Sequence, residues 1–174
     1  MKVSMGGVAC AIVLGLAAHG PAQAIAEDEG HTFTGQCSYQ GVIEFGNPLG
    51  AMPEPNSMWF DERGTCTGWL DGRLAQNEPV RLLGAAEGLM SCGEGLPRGP
   101  GAMLMGGTRI RFTFAELRVT GAGRTEFAGA GGGSLEGAGA TTDDPSLLIE
   151  RCMPGGGGVD RTAVMGSMAG SISG

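Results

Sequence analysis

Lysine, histidine and aromatic side chains are the scarce residues of this chain, and each scarcity excludes something. Lys2 is the only lysine, so every later cation is an arginine, and ten arginines face eighteen carboxylates with no basic cluster among them. A net negative surface without a basic stripe argues against nucleic acid and anionic membrane surfaces as partners. Of the two histidines, His19 directly follows the N-terminal apolar run, within residues 1–24, which leaves His31 near the start of the remaining chain. Ser-His-Asp and Cys-His mechanisms need an imidazole at the nucleophile, so neither is expected. Aromatics are only 5% of the residues, few for a dedicated carbohydrate binder. No apolar run of the roughly 20 residues needed to span a bilayer occurs, so no membrane span is expected.

The N-terminus reads as a secretory signal peptide over residues 1–24. Lys2 precedes the apolar run Val8 to Ala18, and Gly20-Pro21-Ala22-Gln23-Ala24 supplies a helix breaker and a small-x-small cleavage site. Cleavage after Ala24 is preferred to cleavage after Ala26. Cys10 lies too early in the run for a lipoprotein, and no arginine pair marks twin-arginine export. Residues 25–174 then form a single secreted domain, extracellular or associated with the cell envelope.

What is abundant is glycine, with 35 residues. The glycines are interleaved with Val, Ile, Phe, Thr and Leu, which suggests short strands and tight turns. Tyr39, Gly41, Ile43 and Phe45 share one strand face. In Ser57 to Leu70, Met58, Phe60, Gly64, Cys66, Gly68 and Leu70 share an inner face, and Trp59, Asp61, Arg63, Thr65, Thr67 and Trp69 an outer one. Asp71-Gly72 is a turn. Arg109 to Phe114 alternates strictly, after which the apolar phase moves to Leu117 and Val119; a β-bulge near Ala115 is expected to absorb the slip. Thr125 to Ala140 reads as two glycine-rich strands or a loop, and Arg161 to Ser173 as a final strand. Asp144-Pro145 opens one short helix that ends before Gly155, with Leu148 and Cys152 facing inward.

Four cysteines follow the signal: Cys37, Cys66, Cys92 and Cys152. An even count in an oxidising compartment implies two disulfides, whereas a zinc site would show closely spaced ligand pairs. Three pairings are open. Cys66 with Cys92 and Cys37 with Cys152 is favoured, because it joins neighbouring segments and ties the chain's two ends together. No metal and no cofactor is expected. Asp61-Glu62 and Asp143-Asp144 lack the alternating oxygen ligands of a calcium loop, and Gly129 to Ser134 lacks the strand and helix that flank a nucleotide loop. Trp59 and Trp69, with Tyr39, are candidate ligand-stacking residues, weighed against packing in a second apolar layer or a loop.

The chain resembles a group of secreted actinobacterial proteins of unknown function. The matching stretches are Phe33 to Ser38, Gly64 to Arg73, Pro79 to Arg81, Ser91 to Gly93, Arg109 to Glu116, Asp143 to Pro145, Cys152 with its glycines, and the terminal Ser-Ile-Ser-Gly. The resemblance implies a four-cysteine β-sandwich and brings no activity or ligand with it. The fold expected is thus an antiparallel β-sandwich, jelly-roll-like, with one short C-terminal helix and disulfide staples. The function expected is a non-catalytic extracellular or envelope-associated binding or structural module, its partner an extracellular glycan or protein. The alternative is a small carboxylate-dependent hydrolase acting on extracellular glycan, with no catalytic residue singled out.

Overall fold

Alternation of inward apolar and outward polar side chains continues through strands of up to eighteen residues, and it dictates the architecture. In the computed structural model, residues 30–119 and 121–174 are described; the expected signal peptide lies outside them. The elements are β1 (Thr32–Leu49), β2 (Glu54–Leu70), β3 (Arg73–Met90), β4 (Glu94–Gly95), β5 (Arg98–Met105), β6 (Thr108–Val119), β7 (Ala122–Gly129), β8 (Gly132–Thr141), α1 (Pro145–Cys152) and β9 (Val159–Ser173). Each long strand pairs antiparallel with the next, and β1 also pairs with β9, from Thr32↔Ser173 to Leu49↔Val159. β4 continues β5 across Leu96-Pro97, in the same register against both β3 and β6. The result is one antiparallel sheet that closes on itself into an eight-stranded barrel. The expected all-β fold with one short C-terminal helix and two disulfides is the observed one. The facing layers of the expected sandwich are opposite walls of this single closed sheet.

The two ends of the barrel differ. At one end the connections are tight turns: Asp71-Gly72 with φ of 50° and 75°, Gly106-Gly107, and Ala130-Gly131. There the residue before β1 and the residue after β9 zip together, His31 N–H donating to Gly174 O and Gly174 N–H to His31 O. Phe33, Leu70, Leu82, Met103, Met105, Ile110, Leu135 and Ile172 fill this end, each 5% exposed or less. All six phenylalanines are buried. Phe60, Phe112, Phe114 and Phe127 meet edge to face, with centroids 5.1 Å apart for Phe60–Phe114 and for Phe112–Phe127. Glycine makes room for these rings: a Cβ at Gly84 would stand 2.4 Å from Phe60 Cζ. At the other end the connections are longer, and α1 lies among the residues of the mouth. Asp144 caps α1 by accepting the Ser146 N–H at 2.8 Å, with Pro145 in the first turn, as the sequence indicates.

Two expectations are corrected. The disulfides are Cys37–Cys66 and Cys92–Cys152, with Cα separations of 4.0 and 5.9 Å. Cys37 stands directly opposite Cys66 in the β1–β2 register, both on the inner face, and this leaves neither available for a partner at the mouth. Nor does a bulge occur at Ala115, since β6 keeps one register against β5 and another against β7 through that position. The inward face continues past Phe114 into Glu116 and Arg118, so the phase holds while the lining turns polar. A register shift does occur between β2 and β3, next to Thr67, where Asn77 takes φ 52° and donates its N–H to Thr67 Oγ1.

Each bridge closes a loop worth about 3.5 to 4.5 kcal/mol in the chain-entropy model. Arginine-specific digestion without reduction is expected to link the peptides bearing Cys37 and Cys66, and separately those bearing Cys92 and Cys152. A Cys66–Cys92 peptide would contradict this register.

Candidate functional site

Eight strands enclose an interior just wide enough to be filled by side chains or to hold one small ligand. Here the closed end is filled and the open half holds a cavity of about 680 Å³. Its walls are mostly apolar, from Ile43 and Phe45 on β1, Met58 and Phe60 on β2, Phe114 on β6 and Phe127 on β7. Leu148, Ile149 and Cys152 of α1, with Met153 at its C-cap, line the mouth. Ile149 and Met153 are also 65% and 61% exposed, so the rim itself is apolar.

The loops around the mouth are stitched together. Cys92 donates its N–H to Gly50 O, and the Ser91 hydroxyl accepts from Gly93 and Glu94 N–H. Asp143 Oδ2 accepts from the Thr162 hydroxyl at 2.8 Å and from Ala163 N–H at 3.0 Å, anchoring the approach to α1. The Cys92–Cys152 bridge fixes the far end of the helix. Asp143 and Asp144 are therefore both spent on holding this segment in place. Asp61 and Glu62 point to opposite sides of the sheet, which prevents joint chelation: Asp61 pairs with Arg81 outside at 2.6 Å, and Glu62 is buried inside.

Besides the hydroxyls of Ser91, Thr125, Thr141 and Thr162, four titratable side chains interrupt the apolar lining: Tyr39, Glu62, Glu116 and Arg118. Arg118 donates to Glu116 Oε1 through Nη2 at 3.1 Å and Nε at 3.3 Å, and its guanidinium lies 5.6 Å from the centroid of the Phe45 ring. Glu62 is 5% exposed, and no hydrogen bond from the described residues reaches its carboxyl group. Its oxygens are not sealed away from space, so the carboxyl opens into the cavity it lines. Tyr39 lies diagonally across the β1–β2 pair from Glu62, given Tyr39↔Gly64 and Gly41↔Glu62. Its ring lies over Gly166, where a Cβ would come within 2.6 Å of the hydroxyl oxygen. Burial, then the Glu62 and Glu116 carboxylates, push the Tyr39 hydroxyl well above its ordinary value. Burial chiefly, then repulsion by Glu116, push the Glu62 carboxyl up to about 7, against the pull of Arg118.

Of the aromatic residues singled out from the sequence, Tyr39 lines the cavity and the two tryptophans lie elsewhere. Trp59 and Trp69 are both on the outer face of β2, 44% and 55% exposed, and their ten-residue spacing puts them up to about 33 Å apart along the strand. Trp59 donates its indole N–H to Glu44, and Trp69 flanks Leu74 and Thr34 near the closed end. His31 is also at the closed end, 2.9 Å from Asp71 Oδ2, so it does not line the cavity. Glu62, Glu116 and Arg118 were missed. Glu62 occupies an inner position between Phe60 and Gly64, and strict alternation from Phe114 places the other two inward; an acid on an otherwise apolar face was the available signal. Among the described residues no helix is long and apolar enough to cross a membrane. The paired disulfides suit an oxidising compartment. No family model, no curated protein and no solved structure matches this chain.

The raised Glu62 value fixes the sign of a pH effect. Between its ordinary 4.5 and about 7 the folded protein holds a proton that the unfolded chain has released. Stability is therefore greatest at low pH within this window and falls as pH rises, by about 3 kcal/mol in all, before levelling off. Asp61 and Asp71 are held below their ordinary 3.8, by the Arg81 hydrogen bond and the Thr32 N–H respectively, and act only at lower pH. Urea denaturation at pH 5 and pH 8 is expected to show the decline in the native protein and to show it lost in Glu62→Gln. A slope that persists in the variant assigns it to another group.

Proposed function

We propose that this protein is a secreted, non-catalytic binding module that takes one small, largely apolar molecule into the open half of the barrel. The observation that carries this reading is the cavity of about 680 Å³, of a size typical of small-ligand sites and lined by apolar walls with a few convergent polar groups. A polymer would need an open groove and an aromatic platform, and neither tryptophan lies at this cavity. The outer face of β1 and β2 presents Thr34, Gln36, Ser38, Gln40, Asp61, Arg63, Thr65 and Thr67 to solvent, where a lipid-embedded barrel would carry an apolar band. Secretion fits the disulfides and the N-terminal segment, and it makes the module a carrier or receptor outside the cell or at its envelope.

A second reading, carboxylate-dependent hydrolysis, has one observation in its favour. Glu62 and Glu116 share the cavity in different surroundings, one unpaired and one held by an arginine, as an acid and its partner carboxylate would be. Binding without turnover separates the two. Purified oxidised protein is expected to bind one equivalent of the fluorescent apolar probe N-phenyl-1-naphthylamine, and Val164→Trp, which fills the cavity from β9, to bind it at least about tenfold more weakly while still melting cooperatively. Sugar released from cell-wall polysaccharide by the native protein but not by Glu62→Gln would favour the hydrolase. Undiminished probe binding in Val164→Trp would remove the cavity from consideration.

A further inference from the structure

The ionisable groups of the cavity do not balance. Its lining contains two carboxyl groups, Glu62 and Glu116, and one cation, Arg118. That cation is committed: two of its N–H groups go to Glu116, and its guanidinium rests near Phe45. Glu62 is left nine-tenths buried with no donor among the described residues, opening into the cavity. A buried carboxylate is tolerable when a cation or several N–H groups face it, and costly otherwise. What is missing from this wall is one positive charge bearing hydrogen-bond donors.

The position of the gap sets the orientation of whatever fills it. The mouth lies at the C-terminal end of β1 and the N-terminal end of β2. Tyr39 and Glu62 are thus deeper than Ile43 and Phe45 on one strand and Met58 and Phe60 on the other. Walls that are apolar except for Arg118, which sits beside Phe45 and is paired with Glu116, lie between the polar pair and the apolar rim formed by Ile149 and Met153. A molecule entering through that rim reaches Glu62 with its leading end and leaves its remainder against hydrocarbon. An anionic end would meet the uncompensated Glu62 carboxyl group there, the Arg118 cation being paired with Glu116, and a neutral hydroxyl would supply a donor without charge.

Accepting the cavity as a ligand site, we propose that its ligand is an apolar amine, entering head first, with its ammonium group donating to the Glu62 carboxylate and to the Tyr39 hydroxyl oxygen and its hydrocarbon lying along Phe60, Phe114 and Met58. Glu116 remains paired with Arg118, so the uncompensated negative charge of the site is that of Glu62, which repels carboxylates. The selectivity is for the charged head, and the walls are tolerant of the tail.

The test uses three ligands that share a tail: decylamine, decanol and decanoate, each displacing N-phenyl-1-naphthylamine from the oxidised protein at pH 8. The amine is expected to displace the probe at about tenfold lower concentration than the alcohol, and decanoate to be the weakest. In Glu62→Gln the amine and the alcohol should come within about threefold of one another, whereas the outward-facing Glu136→Gln should keep the native ranking. Equal displacement by amine and alcohol in the native protein, decanoate as the tightest ligand, or an amine preference that survives Glu62→Gln would each overturn the proposal. The native ranking needs no variant, so it decides the matter even if Glu62→Gln does not fold. Failure of the probe and all three ligands to bind would instead sink the cavity as a ligand site.

Discussion

Closure of the sheet is the constraint on which everything else in this structure depends. Pairing of β1 with β9 joins the first strand to the last over a dozen residues and closes the ladder, so that no long strand among the described residues is left at an open edge. Once the ladder is closed, every second side chain must enter a space of fixed girth. Large rings fit only where the facing position is small, as with Phe60 against Gly84 and Tyr39 over Gly166. The glycine content that looks at first like a loosening of the chain is what lets a narrow barrel hold its phenylalanines.

The same closure separates a packed half from an open one. Toward the tight turns, methionines, aliphatic side chains and the Cys37–Cys66 bridge complete the interior. Toward the long connections they run out, and the walls are held apart by the helix and its Cys92–Cys152 tether. The two bridges serve different ends of one molecule: one fastens adjacent strands in the floor, and the other holds a short helix at the entrance. That helix buries none of its residues, so its position rests on the bridge, the Asp144 cap and the Asp143 hydrogen bonds more than on packing.

Charge placement within the cavity runs against stability. Glu116 and Arg118 compensate each other, a pair two residues apart on one strand face. Glu62 has no such compensation and keeps its carboxyl group in an apolar wall at a cost the fold does not recover. Local departures from good packing and pairing of this kind are expected where a protein serves a ligand, and the neighbouring hydroxyl of Tyr39, buried and without a hydrogen-bond partner among the described residues, belongs to the same departure.

Much of the fold was legible in the residues themselves. Period-two alternation placed Tyr39, Ile43 and Phe45 inside, set Met58 to Leu70 on the correct face, and left both tryptophans outside. Asp144-Pro145 marked the helix, and Asp71-Gly72 the hairpin. These are decided by near neighbours, through the pleat of a strand, the dihedral preferences of glycine and proline, and the reach of a capping carboxylate. Disulfide pairing, the closing of the sheet and the site were not legible, because each depends on which distant residues share a level of the barrel. Cys37 meets Cys66 only through strand register. Past Phe114 the inward positions carry charge, and a polar residue facing inward looks in sequence like an apolar phase that has slipped. The sequence alone thus determined which side of each strand is buried; only the tertiary structure decided that Glu62, Glu116, Arg118 and Tyr39 share one cavity, because strands distant in the chain become neighbours only when the sheet closes.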